Sequence, residues 1–376
     1  MHYFSSGELV IQSSYTFSFR AWRCYYIMRQ FLCKLSVVVV YIISVQVVLP
    51  VVVDPSNVFH AEHIRRLPTE PNKNYIKMKY ILANPYKFEG YMFGSSRVGT
   101  IHVEKIPGRK IYNMTYAGGL PVEHLNNLKT MISNDIKPSI IYIGVDGVSI
   151  TDRAAQHLSV PYACPYEILS SDFEHFCSLM LNPYYVLRAL PTILMVKESI
   201  NKHTDPDAFY AHGWWADYDT KPHYDWSKSV YKPSRRIADL RPIRQTLKDI
   251  QYMYELCRTH NIEIILFANP MYCVTHMQAV DAGYLEFLEG LAGISEFYNF
   301  SGINDITNDR NNYLDYSHYT AQTGDLLINI MCNGAEYPQL QAQGFGVKVT
   351  RNNVKDFITL LKTQAEEFRH ENSPAH

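Results

Sequence analysis

The chain has 376 residues, of which 47% are hydrophobic and 19% are charged, and its formal net charge at pH 7 is −1. This hydrophobic content excludes wholesale disorder, because the chain can bury a substantial core. The charge is close to zero and no basic stripe with interleaved aromatic residues occurs, so nucleic acid is not expected as a partner.

A hydrophobic segment without any charged residue lies near the N-terminus, at residues 35–53. As a helix it would span roughly 28 Å, close to the thickness of the hydrocarbon core of a bilayer. A buried core helix would also be apolar, but here β-branched residues surround the whole circumference, which suits contact with lipid. No small-x-small cleavage site follows, so removal as a signal peptide is less favoured. We therefore predict a transmembrane anchor at residues 35–53.

Charged residues on the two sides of the anchor predict its orientation. Residues 1–34 contain one acidic residue, Glu8, and four basic residues, Arg20, Arg23, Arg29 and Lys34. This bias favours a cytoplasmic N-terminal segment at 1–34 and an exported domain after the anchor, although Arg65 and Arg66 on the far side weaken it.

After a polar linker at residues 54–85, apolar runs alternate with segments in which apolar residues recur at helical spacing. The predicted strands are 91–93, 111–113, 139–145, 262–268 and 296–300, and the predicted helices are 122–133, 242–258, 278–291, 321–331 and 353–368. This alternation indicates an α/β domain at 86–376, with a mostly parallel sheet and helices on both faces. Residues 150–240 are rich in aromatic residues, proline and histidine, and we interpret them as a helical and loop insertion that caps the strand ends.

The first predicted strand is followed by Gly94-Ser95-Ser96-Arg97, a turn that presents a hydroxyl at the C-terminal edge of the sheet. In open α/β sheets this edge is where ligands bind. A serine hydroxyl is a weak nucleophile that needs an adjacent base and a group to orient the base. Asp315 and His318, one helical turn apart just before the last core helices, provide both. We predict Ser96 as the nucleophile, His318 as the base and Asp315 as the orienting carboxylate.

Two glycines, Gly118 and Gly119, follow the second predicted strand and can expose amide groups to a developing oxyanion. Each motif also has a structural explanation when taken alone. Gly-Ser-Ser turns commonly end strands, and histidines near helix starts are often structural. Their joint placement, after the first strand and before the helix at 321–331, favours the functional interpretation.

These motifs resemble those of the SGNH/GDSL hydrolase superfamily. In that family a Gly-Asp-Ser-like block after the first strand carries the nucleophile, a glycine block and an Asn block form the oxyanion hole, and an Asp-x-x-His block completes the triad. The resemblance implies a three-layer, flavodoxin-like fold with Ser96 rather than Ser95 as the nucleophile, Asp315 and His318 as its partners, and Gly118 in the oxyanion hole. No metal or organic cofactor is implied.

The third block departs from the family pattern. After the third predicted strand the chain reads Val145-Asp146-Gly147, where the family has an Asn. An ionised Asp146 directed at an oxyanion would repel it, so an active enzyme requires this side chain to face elsewhere. Asn113 is an alternative donor to the oxyanion.

Nearly the whole chain from the anchor onward is similar to a group of largely uncharacterised bacterial, membrane-anchored SGNH-like proteins. The shared traits are Asp54-Pro55 after the span, Gly-Ser-Ser-Arg at 94–97, GVDG at 144–147, IILFANP at 264–270, NFSG at 299–302 and DYSHY at 315–319. Similar domains accompany membrane-bound O-acyltransferases that modify envelope polysaccharides.

This second resemblance implies a single-pass inner-membrane protein whose C-terminal domain lies in the periplasm. It also implies ester hydrolysis or O-acyl transfer on an envelope polysaccharide or acylated glycan, with a membrane-bound O-acyltransferase as a possible partner. The alternative is a catalytically inactive, glycan-binding or scaffold protein that has kept the fold, and Asp146 in place of the expected Asn favours that alternative.

Overall fold

The computed structural model describes residues 7–44, 54, 58–59, 72–158, 163–169, 171–180, 187, 206–213, 224–233 and 240–372. The chain forms two compact units, Met1–Pro55 and Ser56–His376.

The first unit contains a single described helix, α1 (Gly7–Ile43). Its segment Trp22–Ile43 has a mean hydropathy of 1.7 and is long and apolar enough to cross a membrane. The predicted anchor at 35–53 overlaps this segment only over residues 35–43, and residues 45–53 of the prediction lie outside the described residues. Trp22–Ile43 begins before the predicted anchor and contains Arg29 and Lys34, which the prediction assigned to the cytoplasmic segment, so the start of the anchor at residue 35 stays a prediction.

Part of the predicted linker at 54–85 is a helix, α2 (Lys73–Ala83). Asn72 caps its N-terminus, because the Asn72 side chain accepts a hydrogen bond from the Tyr75 amide. The ammonium of Lys77 is fully buried and donates to the carbonyls of Asn113 and Thr115, at 2.9 and 2.6 Å. Burial, with a smaller contribution from nearby Lys73, lowers the pKa of Lys77 well below its usual value. The polar composition of this segment thus reflects buried hydrogen bonds, and residues from Asn72 onward belong to the domain.

The second unit is an α/β domain around one six-stranded sheet, which confirms the prediction of a mostly parallel sheet. The strands are β1 (Gly90–Phe93), β2 (Ile111–Asn113), β3 (Ile140–Val145), β4 (Glu263–Ala268), β5 (Phe297–Asn299) and β6 (Val347–Val349). Their order is β2-β1-β3-β4-β5-β6, and only the β5–β6 pair is antiparallel. Every residue of β1, β2 and β3 is buried, as expected for strands that are covered on both faces.

Helices described in the second unit are α2, α3 (Pro121–Ser133), α4 (Val148–Thr151), α5 (Ala154–His157), α6 (Asp172–Met180), α7 (Pro206–His212), α8 (Arg241–Thr259), α9 (Cys273–Asp281), α10 (Tyr284–Ile294), α11 (Asp305–Asn308), α12 (Ala321–Asn333), α13 (Pro338–Ala342) and α14 (Val354–Glu371). Helix α8 packs against α3 and α10, and α10 packs against α14. Helix α12 approaches the sheet where the hydroxyl of Tyr142, in β3, lies 3.8 Å from the Cys332 sulfur.

Besides α2, the predicted elements differ from the observed ones at two further places. The predicted helix at 278–291 is two helices, α9 and α10, because Gly283 has a φ of +99° and interrupts the α-helical backbone. Strand β6 was not predicted, since three residues at a sheet edge carry little periodic signal. The predicted insertion at 150–240 lies between β3 and β4, and its described parts include α5, α6 and α7.

Candidate functional site

The C-terminal edge of the sheet contains a topological switch point. From β1 the chain runs outward to β2 on one side and then crosses to β3 on the other, so the loops after β1 and β3 diverge. This is the position at which open α/β sheets bind their ligands. Four strands end in, or are followed at once by, a fully buried polar residue: Asn113, Asp146, Asn269 and Asn299.

The turn at residues 94–97 (the Gly-Ser-Ser turn) and the loop at residues 313–319 (the Asp-His loop) meet at this edge. His318 Nε2 lies 2.9 Å from Ser96 Oγ, and His318 Nδ1 lies 2.9 Å from Asp315 Oδ2. With the Nδ1 proton directed at Asp315, Nε2 is unprotonated and can accept the Ser96 hydroxyl proton. The structure thus brings the three predicted residues together in the serine–histidine–aspartate order.

The Asp-His loop holds Asp315 by several donors at once. Asp315 Oδ1 accepts hydrogen bonds from the amides of Ser317 and His318, at 2.6 and 2.8 Å. Partial burial acts to raise the pKa of Asp315, but hydrogen bonds from His318 and from these two amides outweigh it and leave the pKa below its usual value. An ionised Asp315 stabilises the imidazolium that forms when His318 takes a proton.

The two serines of the turn have different environments. Ser95 is 1% exposed, and its hydroxyl donates to Asp146 Oδ2 at 2.6 Å. Ser96 begins the 3₁₀ turn Ser96–Thr100, is only half-buried and faces His318. Ser95 is therefore a structural residue, whereas Ser96 has both the access and the base that a nucleophile requires.

The glycines after β2 lie directly against the Gly-Ser-Ser turn. A Cβ atom added to Gly119 would lie 2.5 Å from the Gly94 carbonyl oxygen, so the two backbones approach as closely as glycine allows. Gly118 has a φ of +66°, which also favours glycine. Within the described part of the chain, neither the Ser96 amide nor the Gly118 amide donates to a protein acceptor.

Asn113, the other predicted oxyanion donor, is engaged elsewhere. Its side-chain amide donates to the Val98 carbonyl at 2.9 Å, and its side-chain oxygen accepts from the Thr115 amide at 3.0 Å. The residue is fully buried and ties the end of β2 to the 3₁₀ turn that follows Ser96. Its predicted role as an oxyanion donor is therefore corrected to a structural one.

The Asp146 carboxylate accepts four hydrogen bonds from neighbouring residues. Oδ1 accepts from Arg97 Nη1 at 2.8 Å and from the Val148 amide at 2.9 Å. Oδ2 accepts from Ser95 Oγ at 2.6 Å and from Asn269 Nδ2 at 3.2 Å. The carboxylate is fully buried and its charge is paired, which meets the condition that the sequence set for an active enzyme.

Arg97 connects this carboxylate to the Asp-His loop. While Nη1 donates to Asp146, Nε donates to the carbonyl of Ser317 at 2.9 Å. A second connection runs through Asn269, whose side-chain oxygen accepts from the Tyr319 hydroxyl at 3.1 Å. Sequence reasoning missed Arg97 and Asn269, although both lie in the motifs at 94–97 and 264–270.

A second histidine–carboxylate pair supports the glycine turn. His157 Nδ1 lies 2.6 Å from Glu123 Oε1, and Glu123 Oε2 accepts from the Tyr116 hydroxyl at 2.9 Å. The hydrogen bond to Glu123 raises the pKa of His157 above its usual value, against the effect of burial. His157 Nε2 would lie 3.2 Å from a Cβ atom added to Gly118. This pair was not predicted, because the two residues lie 34 positions apart in different elements.

Next to the glycine turn, a cavity of about 510 Å³ opens between the first turns of α3 and α8 and helix α4. Its wall is apolar at Leu120, Pro121 and Pro242 and polar at Asp152, Arg153 and Asp249. A cavity of this size, with an apolar wall and a few polar groups, is typical of small-molecule sites.

Comparison of the chain with models of known protein families, with curated proteins and with solved structures finds no match in any of the three.

Proposed function

We propose that this protein is a serine-dependent acyl-ester hydrolase or O-acyltransferase of the SGNH type that acts on an acylated glycan of the cell envelope. The observation that carries the proposal is the hydrogen-bonded series from Ser96 Oγ through His318 to Asp315. A half-buried serine, a base in contact with it and a carboxylate that orients the base are the parts that acyl transfer requires.

In the proposed reaction, Ser96 Oγ attacks the acyl carbonyl carbon while its proton moves to His318 Nε2. The backbone amides of Ser96 and Gly118 stabilise the resulting oxyanion. Collapse of the intermediate breaks the bond to the alcohol oxygen, which takes the proton from His318, and the acyl group stays on Ser96. Water or a sugar hydroxyl then attacks the acyl-enzyme with His318 as the base, so hydrolysis and transfer share every group of the site.

The strand order supports the SGNH assignment. The order 2-1-3-4-5 of the parallel strands is that of flavodoxin-like sheets, with the site at the β1/β3 switch point. The pairing of Asp146 with Arg97 and Ser95 also supports the assignment. Although Asp146 replaces the Asn of the family pattern, its carboxylate is paired.

The sequence resemblance and the helix Trp22–Ile43 support the proposed glycan substrate and location. An anchored domain outside the inner membrane meets envelope polysaccharides and the lumenal side of a membrane-bound O-acyltransferase. We therefore place the domain in the periplasm, with that enzyme as the partner that supplies or receives acyl groups. The cavity beside the glycine turn provides room for part of an acylated sugar.

A fluorophosphonate, which reacts with activated serines, tests the proposal. The full chain in detergent should be labelled at Ser96 when the modified peptide is mapped by mass spectrometry. Ser96→Ala should lose labelling and ester hydrolysis by roughly 10³-fold or more. Ser133→Ala, which changes an exposed serine at the end of α3 that bonds only to carbonyls of its own helix, is the matched control and should label like the parent. Equal labelling of Ser96→Ala and the parent would refute the assignment.

One observation favours the non-enzymatic alternative, a glycan-binding or scaffold protein. The Asn113 amide is bonded to Val98, and Asp146 stands where the family has an Asn, so the proposed oxyanion stabilisation relies on backbone amides. Glycan binding that persists in Ser96→Ala and His318→Ala, together with a parent that neither labels nor hydrolyses esters, would establish this second function.

A further inference from the structure

We propose that Arg97 is a positioning residue that holds the Asp-His loop in register with Ser96, with buried Asp146 as its counter-charge. The inference rests on the proposed function, because it assigns Arg97 a role in that reaction. It also makes a structural claim that can be measured without turnover.

Arg97 is placed to act on both catalytic segments. It follows Ser96 directly in the chain, it is 4% exposed, and its guanidinium donates to Asp146 and to the Ser317 carbonyl. Ser317 immediately precedes His318, and its own amide donates to Asp315. One planar group therefore fixes the distance between the turn that carries the nucleophile and the loop that carries the base.

Two other tethers of the Asp-His loop lead to other parts of the domain. Thr275 Oγ1 donates to the Tyr316 carbonyl at 2.6 Å, which joins the loop to α9. The Tyr319 hydroxyl bonds to Asn269, which joins it to the end of β4. Both fix the loop to the body of the domain, whereas Arg97 alone among these contacts fixes it to the Gly-Ser-Ser turn.

The geometry also explains why an arginine serves here. A guanidinium presents donors in a rigid fork, so that Nη1 and Nε reach two acceptors in fixed directions. A lysine retains the charge opposite Asp146 but has one nitrogen on a flexible stem, and it cannot reproduce both directions. Replacement by lysine thus separates the charge of Arg97 from its positioning role.

The test compares Arg97→Lys with the parent in two measurements. The first is the rate of fluorophosphonate labelling at Ser96, which should fall by roughly 10- to 100-fold, because small displacements of reacting groups cost rates of this order. The fall should appear in the maximal labelling rate rather than in the reagent concentration for half-maximal rate. The second is amide hydrogen exchange, which should become faster in the peptide that contains Ser317 and His318.

Arg369→Lys is the matched control. Arg369 donates to Asp281 at 2.8 Å, in a second arginine–aspartate pair formed by α14 and α9. This variant should label at the parent rate and leave the exchange of the Asp-His loop unchanged. If Arg97→Lys does not fold, Arg97→Gln combined with Asp146→Asn removes both buried charges together, and it should show the same slow labelling and fast exchange.

The outcomes separate the inference from the proposed function. A parent that fails to label Ser96, with faster loop exchange in Arg97→Lys, would refute the function and retain the positioning role. A parent that labels, with parent-like labelling and exchange in Arg97→Lys, would overturn the positioning role and leave the function standing. Equal losses in Arg97→Lys and Arg369→Lys would also overturn it, because the effect would then be one of general stability.

Discussion

The backbone of Gly119 packs against the carbonyl oxygen of Gly94, so that a Cβ atom at Gly119 would stand 2.5 Å from that oxygen. The same Cβ would also lie 2.8 Å from a ring carbon of His124. Two backbone segments that approach this closely cannot move independently. The position of the glycine turn relative to Ser96 therefore depends on the absence of a side chain at one residue.

Gly119→Ala should displace the glycine turn from the Gly-Ser-Ser turn. Because the nearest obstacle is backbone rather than a flexible side chain, we expect a loss of about 1–3 kcal/mol in the free energy of unfolding. Fluorophosphonate labelling at Ser96 should slow by roughly 10-fold or more, since the Gly118 amide moves with its neighbour. Urea denaturation and labelling kinetics measure the two effects.

Gly293→Ala is the control for this substitution. Gly293 lies in α10, and a Cβ atom there would meet no atom within 4 Å. The change should be neutral or stabilise the protein by about 0.5–1 kcal/mol, as alanine does in helices, and should leave labelling unchanged. Parent-like labelling in Gly119→Ala would contradict the proposed contact between the two turns.

Ser95→Ala should separate the structural serine from the reactive one. The Ser95 hydroxyl is one of four donors to the buried carboxylate of Asp146, so its loss leaves that carboxylate with three. We expect a loss of about 1–3 kcal/mol in stability, while the fluorophosphonate adduct stays on Ser96. A parent adduct that maps to Ser95 and is absent from a folded Ser95→Ala protein would show that Ser95 is the nucleophile instead.

The order of the helices and strands was predictable because the buried face of each element requires apolar residues at a characteristic spacing. Strands such as 139–145 appear as continuous apolar runs, and helices such as 353–368 repeat apolar residues every three or four positions. Helix α2 escaped prediction because Asn74 and Lys77 are buried in it, and a buried polar residue looks like a surface one in the sequence. Its partners, Asn127 and the carbonyl of Asn113, lie in other segments.

The candidate triad could be predicted from two short motifs, but the network beneath it could not. Arg97 and Ser317 are 220 residues apart, and Ser95 and Asp146 are 51 apart. Contacts of this kind depend on how the loops at the edge of the sheet meet, and they leave no periodic pattern. The sequence indicated that an active enzyme requires Asp146 to face away from an oxyanion, and only the structure identifies Arg97 as the cation that pairs with it.

The helix Trp22–Ile43 should hold the protein in the membrane, with its N-terminal end in the cytoplasm. Arg20 and Arg23 lie at the N-terminal end of this segment, which favours that orientation. The protein should stay in the membrane pellet after an alkaline carbonate wash. In intact spheroplasts, an impermeant maleimide should label Lys355→Cys, at an exposed position of α14. Labelling of that cysteine only after lysis would place the domain on the cytoplasmic side.

Acid should destabilise the domain through buried histidines, of which His276 is the clearest case. Its ring is 1% exposed, lies in α9, and has no hydrogen-bond partner within the described residues. Burial lowers the pKa of His276 to about 4. Below pH 6.5 the unfolded chain therefore binds a proton at His276, whereas the folded state binds one only near pH 4. The contribution of His276 is therefore fully present above pH 6.5 and is lost as the pH falls toward 4, at roughly 1.4 kcal/mol per pH unit.

His276→Leu removes the titratable group, so the folded and unfolded states no longer differ in proton binding at this position. The loss of stability between pH 7 and pH 5, measured by urea denaturation of the full chain in detergent, should be smaller than in the parent by about 2 kcal/mol. Met277→Leu, at the neighbouring buried position of α9, changes packing without a titratable group and should keep the dependence of the parent. His124, whose pKa burial lowers to about 3, still opposes protonation in both variants, so some acid sensitivity should remain. A pH dependence in His276→Leu equal to that of the parent would show that His276 is protonated in the folded state.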